Sequence, residues 1–156
     1  MPTPMDVVCA VHTTFRYINE ITLKDQNSKQ VKQPRRRIAW QPPENGFLKI
    51  NFDGSFAKEG RTGACGFLIR DHSGEPVLAG AANISPAMDA LAAESAACLF
   101  ALEAAERVGI SRVTLETDCS QLCEAITTDV RDLAPCGMIF RTIREFLADR
   151  FVCNKI

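Results

Sequence analysis

Three acidic side chains, Asp53, Glu94 and Asp118, stand where a folded α/β domain has no structural need for them. Asp53 closes the alternating run Leu48-Lys49-Ile50-Asn51-Phe52-Asp53. Glu94 falls in the first turns of an alanine-rich helical stretch. Asp118 ends Leu115-Glu116-Thr117-Asp118. Three carboxylates brought together without a matching Lys or Arg repel one another, and a bound cation is what makes such a cluster stable. Oxygen-only ligands select hard ions, Mg²⁺ or Mn²⁺. The chemistry that most often needs this arrangement is two-metal phosphoryl transfer, with the ions about 4 Å apart, one activating a water and one stabilising the leaving oxygen. Taken singly, the acids also fit ordinary roles. Asp118 would cap a helix starting near Gln121, and Glu94 would be a solvated helix former. Spacing alone leaves both readings open.

The elements that must position these acids follow from the hydrophobic pattern. In the first run Leu48, Ile50 and Phe52 fall on one face and Lys49, Asn51 and Asp53 on the other, which predicts a half-buried strand ending at Asp53. Gly54 and Ser55 would then open a turn or bulge. Ala64 to Arg70 predicts a second strand, Asp71-His72-Ser73-Gly74-Glu75 a hairpin loop, and Val77 to Ala82 a third strand. A long helix follows, with Asp89 as its N-cap or a first-turn acid and Gly109 as its stop. Leu91, Ser95, Cys98, Leu102 and Ala105 form its inner stripe, and Glu103 pairs with Arg107 on its outer side. Arg112 to Thr117 predicts a fourth strand, and Gln121 to Thr128 a short helix. Gly137 to Asp149 predicts another helix with Ile139, Ile143, Phe146 and Leu147 at helical spacing, and a fifth strand opens at Phe151. The order β-β-β-α-β-α-α-β predicts an α/β fold with a mixed sheet and helices packed on it. If the first and fourth strands are neighbours, Asp53 and Asp118 emerge side by side, and the long helix presents Glu94 to both.

Composition sets the wider frame. The 156 residues suit one domain of ordinary size, and 46% apolar with 24% charged residues is the balance of a globular chain rather than a disordered one. No apolar run reaches the roughly 18 residues of a membrane span, and the N-terminus lacks the basic start of a secretory signal. Seven cysteines, an odd number without a C-x-x-C pair, point to free thiols in a reducing, intracellular compartment, nuclear or cytoplasmic. The net charge of −1 is composite. Residues 1–47 hold seven basic against four acidic residues and read as an irregular, proline-containing lead-in, with Arg35-Arg36-Arg37 its densest charge. Residues 48–156 hold eleven basic against fifteen acidic residues and carry the ordered pattern.

Four motifs in order give a more specific reading: Asn51-Phe52-Asp53-Gly54-Ser55, Gly63-Ala64-Cys65-Gly66, Ala92-Ala93-Glu94-Ser95 and Glu116-Thr117-Asp118-Cys119. Together they resemble the ribonuclease H family, and most closely its plant members related to reverse transcriptases of non-LTR retrotransposons. The lead-in Trp40-Gln41-Pro42-Pro43-Glu44-Asn45-Gly46 is similar to the W-x-P-P-x-x-G found before the first strand there. The resemblance implies a five-stranded mixed sheet whose first three strands are antiparallel. It implies Mg²⁺-dependent hydrolysis of the RNA strand of RNA–DNA hybrids, leaving a 3′-hydroxyl and a 5′-phosphate. Asp53, Glu94 and Asp118 match the first three metal-binding carboxylates, with Asp53 bridging two ions, and Gly54 and Ser55 are the candidate substrate contacts. The family's fourth carboxylate lies on a helix after the fifth strand. This sequence ends at Asn154-Lys155-Ile156, so the expected domain lacks that helix, and no residue matches that position or the family's catalytic histidine. This absence and the acidic 48–156 segment support a second expectation, a ribonuclease H-fold binding module without turnover.

Overall fold

The computed structural model describes residues 40–156. The expected basic lead-in before Trp40, with Arg35, Arg36 and Arg37, lies outside the described residues. Nine elements follow: β1 (Leu48–Ala57), a 3-10 turn (Lys58–Gly60), β2 (Thr62–Arg70), β3 (Pro76–Ile84), α1 (Ala90–Arg107), β4 (Arg112–Glu116), α2 (Ser120–Thr127), α3 (Gly137–Arg150) and β5 (Val152–Lys155). The five strands form one mixed sheet in the order β3-β2-β1-β4-β5. β1 pairs antiparallel with β2, and β2 with β3. β4 runs parallel to β1, and β5 parallel to β4. The predicted fold class and element order are those of the structure. The first and fourth strands are indeed neighbours.

Alternation decides which sheet face is apolar. Ile50 and Phe52 of β1, Cys65, Phe67 and Ile69 of β2, and Val113 and Leu115 of β4 are buried in one core with all three helices. α1 contributes Ala97, Ala101 and Ala105 with Cys98 and Leu102, α2 contributes Leu122 and Ala125, and α3 contributes Phe140, Ile143 and Leu147. The small alanine side chains let α1 lie close to β1 and β2, where burial of apolar surface supplies the driving force. Phe67 and Phe100 meet edge to face across this contact, 5.3 Å between ring centroids.

Local chemistry fixes the ends of α1. Asp89 caps it, its carboxylate accepting the Ala92 N–H at 2.7 Å. At the other end Gly109 takes φ +80°, with its N–H on the Glu106 carbonyl and the Ile110 N–H on the Ala105 carbonyl. This is the double hydrogen bond of a Schellman stop, in which a left-handed residue reverses the chain. The expected Glu103–Arg107 pair is absent. Glu106 instead meets Arg150 of α3 at 3.5 Å, a tie between helices that same-helix spacing does not reveal. Among the described residues no helix is long and apolar enough to cross a membrane.

The largest local departure from the sequence reading concerns Gly54 and Ser55. β1 does not stop at Asp53. It continues to Ala57, with Gly54 opposite Cys65 and Ser55 opposite Ala64 on β2. The glycine serves close packing rather than a turn. A Cβ there would lie 2.3 Å from the carbonyl carbon and oxygen of Ala93 and 2.5 Å from the Glu94 nitrogen. The backbone of α1 therefore rests directly on β1 at this residue, a recognised use of glycine inside a strand.

Candidate active site

Asp53, Glu94 and Asp118 converge. Each offers a carboxylate oxygen, and these oxygens all lie within 4.8 Å of one another. Three separate features bring them there. The parallel register of β1 and β4 ends at the pair Asn51–Glu116. Asp53 and Asp118 each follow two residues later and so stay level, although Asp53 is still in β1 and Asp118 is already past the end of β4. The chain bends after β4 as the Cys119 N–H turns back to Thr117 Oγ1 at 3.1 Å. Glu94 arrives from the opposite element, placed by the contact of Gly54 with the Ala93–Glu94 peptide.

The ordinary roles for these acids are not what the structure shows. α2 starts at Ser120 with Cys119 in the cap position and no side-chain cap bond, so Asp118 does not cap it. Glu94 is half-buried rather than solvated, and its Oε2 is buried with no hydrogen-bond partner. Asp53 and Asp118 are exposed, so the cluster opens to solvent on their side. Among the described residues, none of the three forms an ion pair with Lys or Arg within 4.0 Å.

The electrostatic consequence falls on Glu94. Burial first, then the Asp53 charge and a hydrogen bond to it, then the Asp118 charge, push its carboxyl up to about 7, while the Gly54 backbone N–H opposes the shift. A half-buried acid held near neutrality by its own neighbours is a site short of positive charge. The donor set fits a hard divalent cation: all oxygen, all carboxylate, with one acceptor buried and unused.

Gly54 and Ser55 lie next to this cluster on β1. Ser55 is exposed, and its hydroxyl reaches the Ala64 carbonyl at 3.3 Å. Around the acids lies a set of contacts that the motifs did not reveal, although Asn51 and Glu116 open two of those motifs. Arg70 donates to Asn51 Oδ1 at 2.7 Å, Asn51 Nδ2 donates to Glu116 Oε2 at 2.7 Å, and Lys49 Nζ stands 3.3 Å from the same oxygen. The signal was present in the alternation that puts Lys49, Asn51 and Asp53 on one face, but the cross-strand partners depend on register.

Comparison with known proteins agrees with this geometry. The chain matches the family model described as reverse transcriptase-like over residues 51–154, which holds all three acids. No curated protein matches it. Among solved structures, RNase H1 from the halophilic archaeon Halobacterium salinarum NRC-1 is 24% identical with a TM-score of 0.56, covering 71% of this chain and 86% of that one. The N-terminal RNase H domain of Rv2228c from Mycobacterium tuberculosis is 16% identical with a TM-score of 0.58, covering 70% and 81%. LC11-RNase H1, solved in complex with an RNA/DNA hybrid, is 19% identical with a TM-score of 0.51, covering 70% and 84%. Likeness at these identities speaks for the fold. With strand order, helix placement and the family match in agreement, the chain belongs to the reverse transcriptase-like family and folds as an RNase H-like domain.

Proposed function

We propose that the protein is a metal-dependent nuclease that hydrolyses the RNA strand of RNA–DNA hybrids, with Asp53, Glu94 and Asp118 holding two Mg²⁺ or Mn²⁺ ions. The observation that carries this reading is the convergence of three carboxylates within 4.8 Å around a buried, unpartnered Glu94 oxygen. When such ions are bound, the chemistry supplied is activation of a water and neutralisation of charge on the phosphate. The residues of the chain do the rest. Asp53 and Asp118, both exposed, face the incoming phosphodiester. Asp53, on the strand that β4 pairs with and α1 packs against, would be the ligand shared by the ions. Glu94, whose surroundings favour its protonated form, would hold a cation as the carboxylate, with its proton released to solvent. Gly54 keeps the helix low against β1, and Ser55 offers the substrate side a small polar surface. An RNase H1 of the same fold bound to an RNA/DNA hybrid supports the substrate class, and 2′-hydroxyl contacts are what would distinguish the RNA strand.

The motifs at Asp53-Gly54-Ser55, Glu94 and Thr117-Asp118, with the Trp40-to-Gly46 lead-in, support placing the domain with plant members derived from non-LTR retrotransposons. The free thiols support a reducing intracellular setting. One observation favours a second reading, a hybrid-binding module without turnover: residues 48–156 carry four more acids than bases, a weak field for a polyanion. Cleavage of a labelled hybrid in Mg²⁺, compared with Asp53→Asn, separates the two. Turnover that needs Asp53 establishes the nuclease, and salt-dependent binding without turnover establishes the module.

A further inference from the structure

Backbone pairing brings Asp53 and Asp118 level but stops short of them. β1 and β4 are in register only from Leu48–Val113 to Asn51–Glu116. Past that pair β1 continues along β2 to Ala57, whereas the chain beyond Glu116 turns toward α2. Both aspartates therefore lie two residues into a region where the strands part. A side-chain clip spans the last registered pair: Asn51 Nδ2 donates to Glu116 Oε2 at 2.7 Å. Both halves of the clip are held. Arg70 engages Asn51 Oδ1 at 2.7 Å, which fixes the amide with its nitrogen toward Glu116, and Lys49 Nζ lies 3.3 Å from the same glutamate oxygen. The chain of contacts runs across three strands, β2, β1 and β4, one row behind the acids. Glu116 is two residues from Asp118, yet Lys49 offsets its charge, so it adds little to the repulsion within the triad.

We propose that Asn51 and Glu116 are positioning residues of the carboxylate site. The clip holds β1 and β4 together at the point where they diverge and so sets the spacing of the Asp53 and Asp118 carboxylates for cation binding. This inference rests on reading the triad as a metal site. A ladder that merely stabilised the sheet would alter melting and leave cation affinity alone. Partners that orient metal ligands typically change metal affinity by about 10–100-fold when removed.

The test uses the full chain and Mn²⁺ as probe, with affinity measured by electron paramagnetic resonance and folding checked by circular dichroism. Asn51→Ala and Glu116→Ala should each weaken Mn²⁺ binding by about 10–100-fold and raise the Mg²⁺ concentration needed for half-maximal hybrid cleavage, with KM for the hybrid little changed. Glu116→Gln removes the same charge but keeps an oxygen for Asn51, and it should restore most of the affinity. Wild-type binding in Glu116→Ala overturns the positioning role alone. So does equal loss in Glu116→Gln and Glu116→Ala, which would assign the effect to charge. Absence of Mn²⁺ binding and of cleavage in the wild-type chain overturns the metal-site reading itself, and this inference with it.

Discussion

Gly54 and Ala93 meet backbone to backbone: a Cβ on the glycine would stand 2.3 Å from the Ala93 carbonyl. One residue before this contact is Asp53, and one residue after it is Glu94. The seating of helix on strand and the approach of two acids are thus the same structural event. Gly54→Ala must push α1 off β1, because the neighbours in the way are backbone atoms of Ala93 and Glu94 that cannot rotate away. A loss of stability at the upper end of the roughly 1–3 kcal/mol typical of overpacking is expected, together with weaker Mg²⁺ binding. Urea unfolding and a Mg²⁺ titration of the same variant check the two effects, and unchanged values for both would refute the contact.

Neutralising the cluster should have opposite effects with and without cation. Asp53→Asn, Glu94→Gln or Asp118→Asn each relieves repulsion among the acids, so the melting temperature in EDTA should rise. The same changes should abolish the stabilisation by Mg²⁺, which for the wild type reaches about 2.7 kcal/mol at one hundred times the dissociation constant. Paired melts in EDTA and in MgCl₂ read both. Mg²⁺ stabilisation of all three variants equal to the wild type would contradict a shared site.

The pH dependence of the metal-free protein follows from Glu94. Its folded-state value of about 7 lies above the ordinary 4.5, so between these values the folded chain binds more protons than the unfolded one. Stability from this group is therefore complete below about pH 4.5 and is lost as the pH rises through about 7. Melts in EDTA across this window should fall with pH, and Glu94→Gln should flatten that component. An unaltered slope in the variant would assign the effect elsewhere.

Arg144 offers a test of the scaffold away from the acids. Its guanidinium donates to the Ala125 and Thr128 carbonyls at 2.6 and 2.8 Å and pairs with Asp132, tying α3 to the end of α2. Arg144→Ala leaves these acceptors unmatched and should cost about 2 kcal/mol, read as a lower urea midpoint with an unchanged slope. Arg144→Lys should recover only part, since an ammonium lacks the planar fork. Full recovery by lysine would show that charge alone matters.

The sequence made the architecture legible because its elements are locally encoded. β1 alternates, Asp89 and Gly109 punctuate α1, and the β-β-β-α order leaves few topologies. The acids were legible as a joint pattern once β1 and β4 were taken as neighbours. What escaped depends on distance in three dimensions. Gly54 suits a turn as readily as a close approach, and only the position of α1 decides between them. Asn51 and Glu116 are 65 positions apart, and their hydrogen bond depends on strand register. Glu106 chooses Arg150 over a same-helix partner because α3 packs beside α1. Local propensity encodes none of these.

The central claim is that the three carboxylates hold the cations that carry out hydrolysis. The most direct measurement is cleavage of an end-labelled RNA–DNA hybrid by the full chain in MgCl₂, alongside Asp53→Asn and an EDTA control. The account predicts cuts in the RNA strand with 5′-phosphate ends, seen only for the wild type with Mg²⁺ present. Equal cleavage by wild type and Asp53→Asn, or none by either, would contradict it.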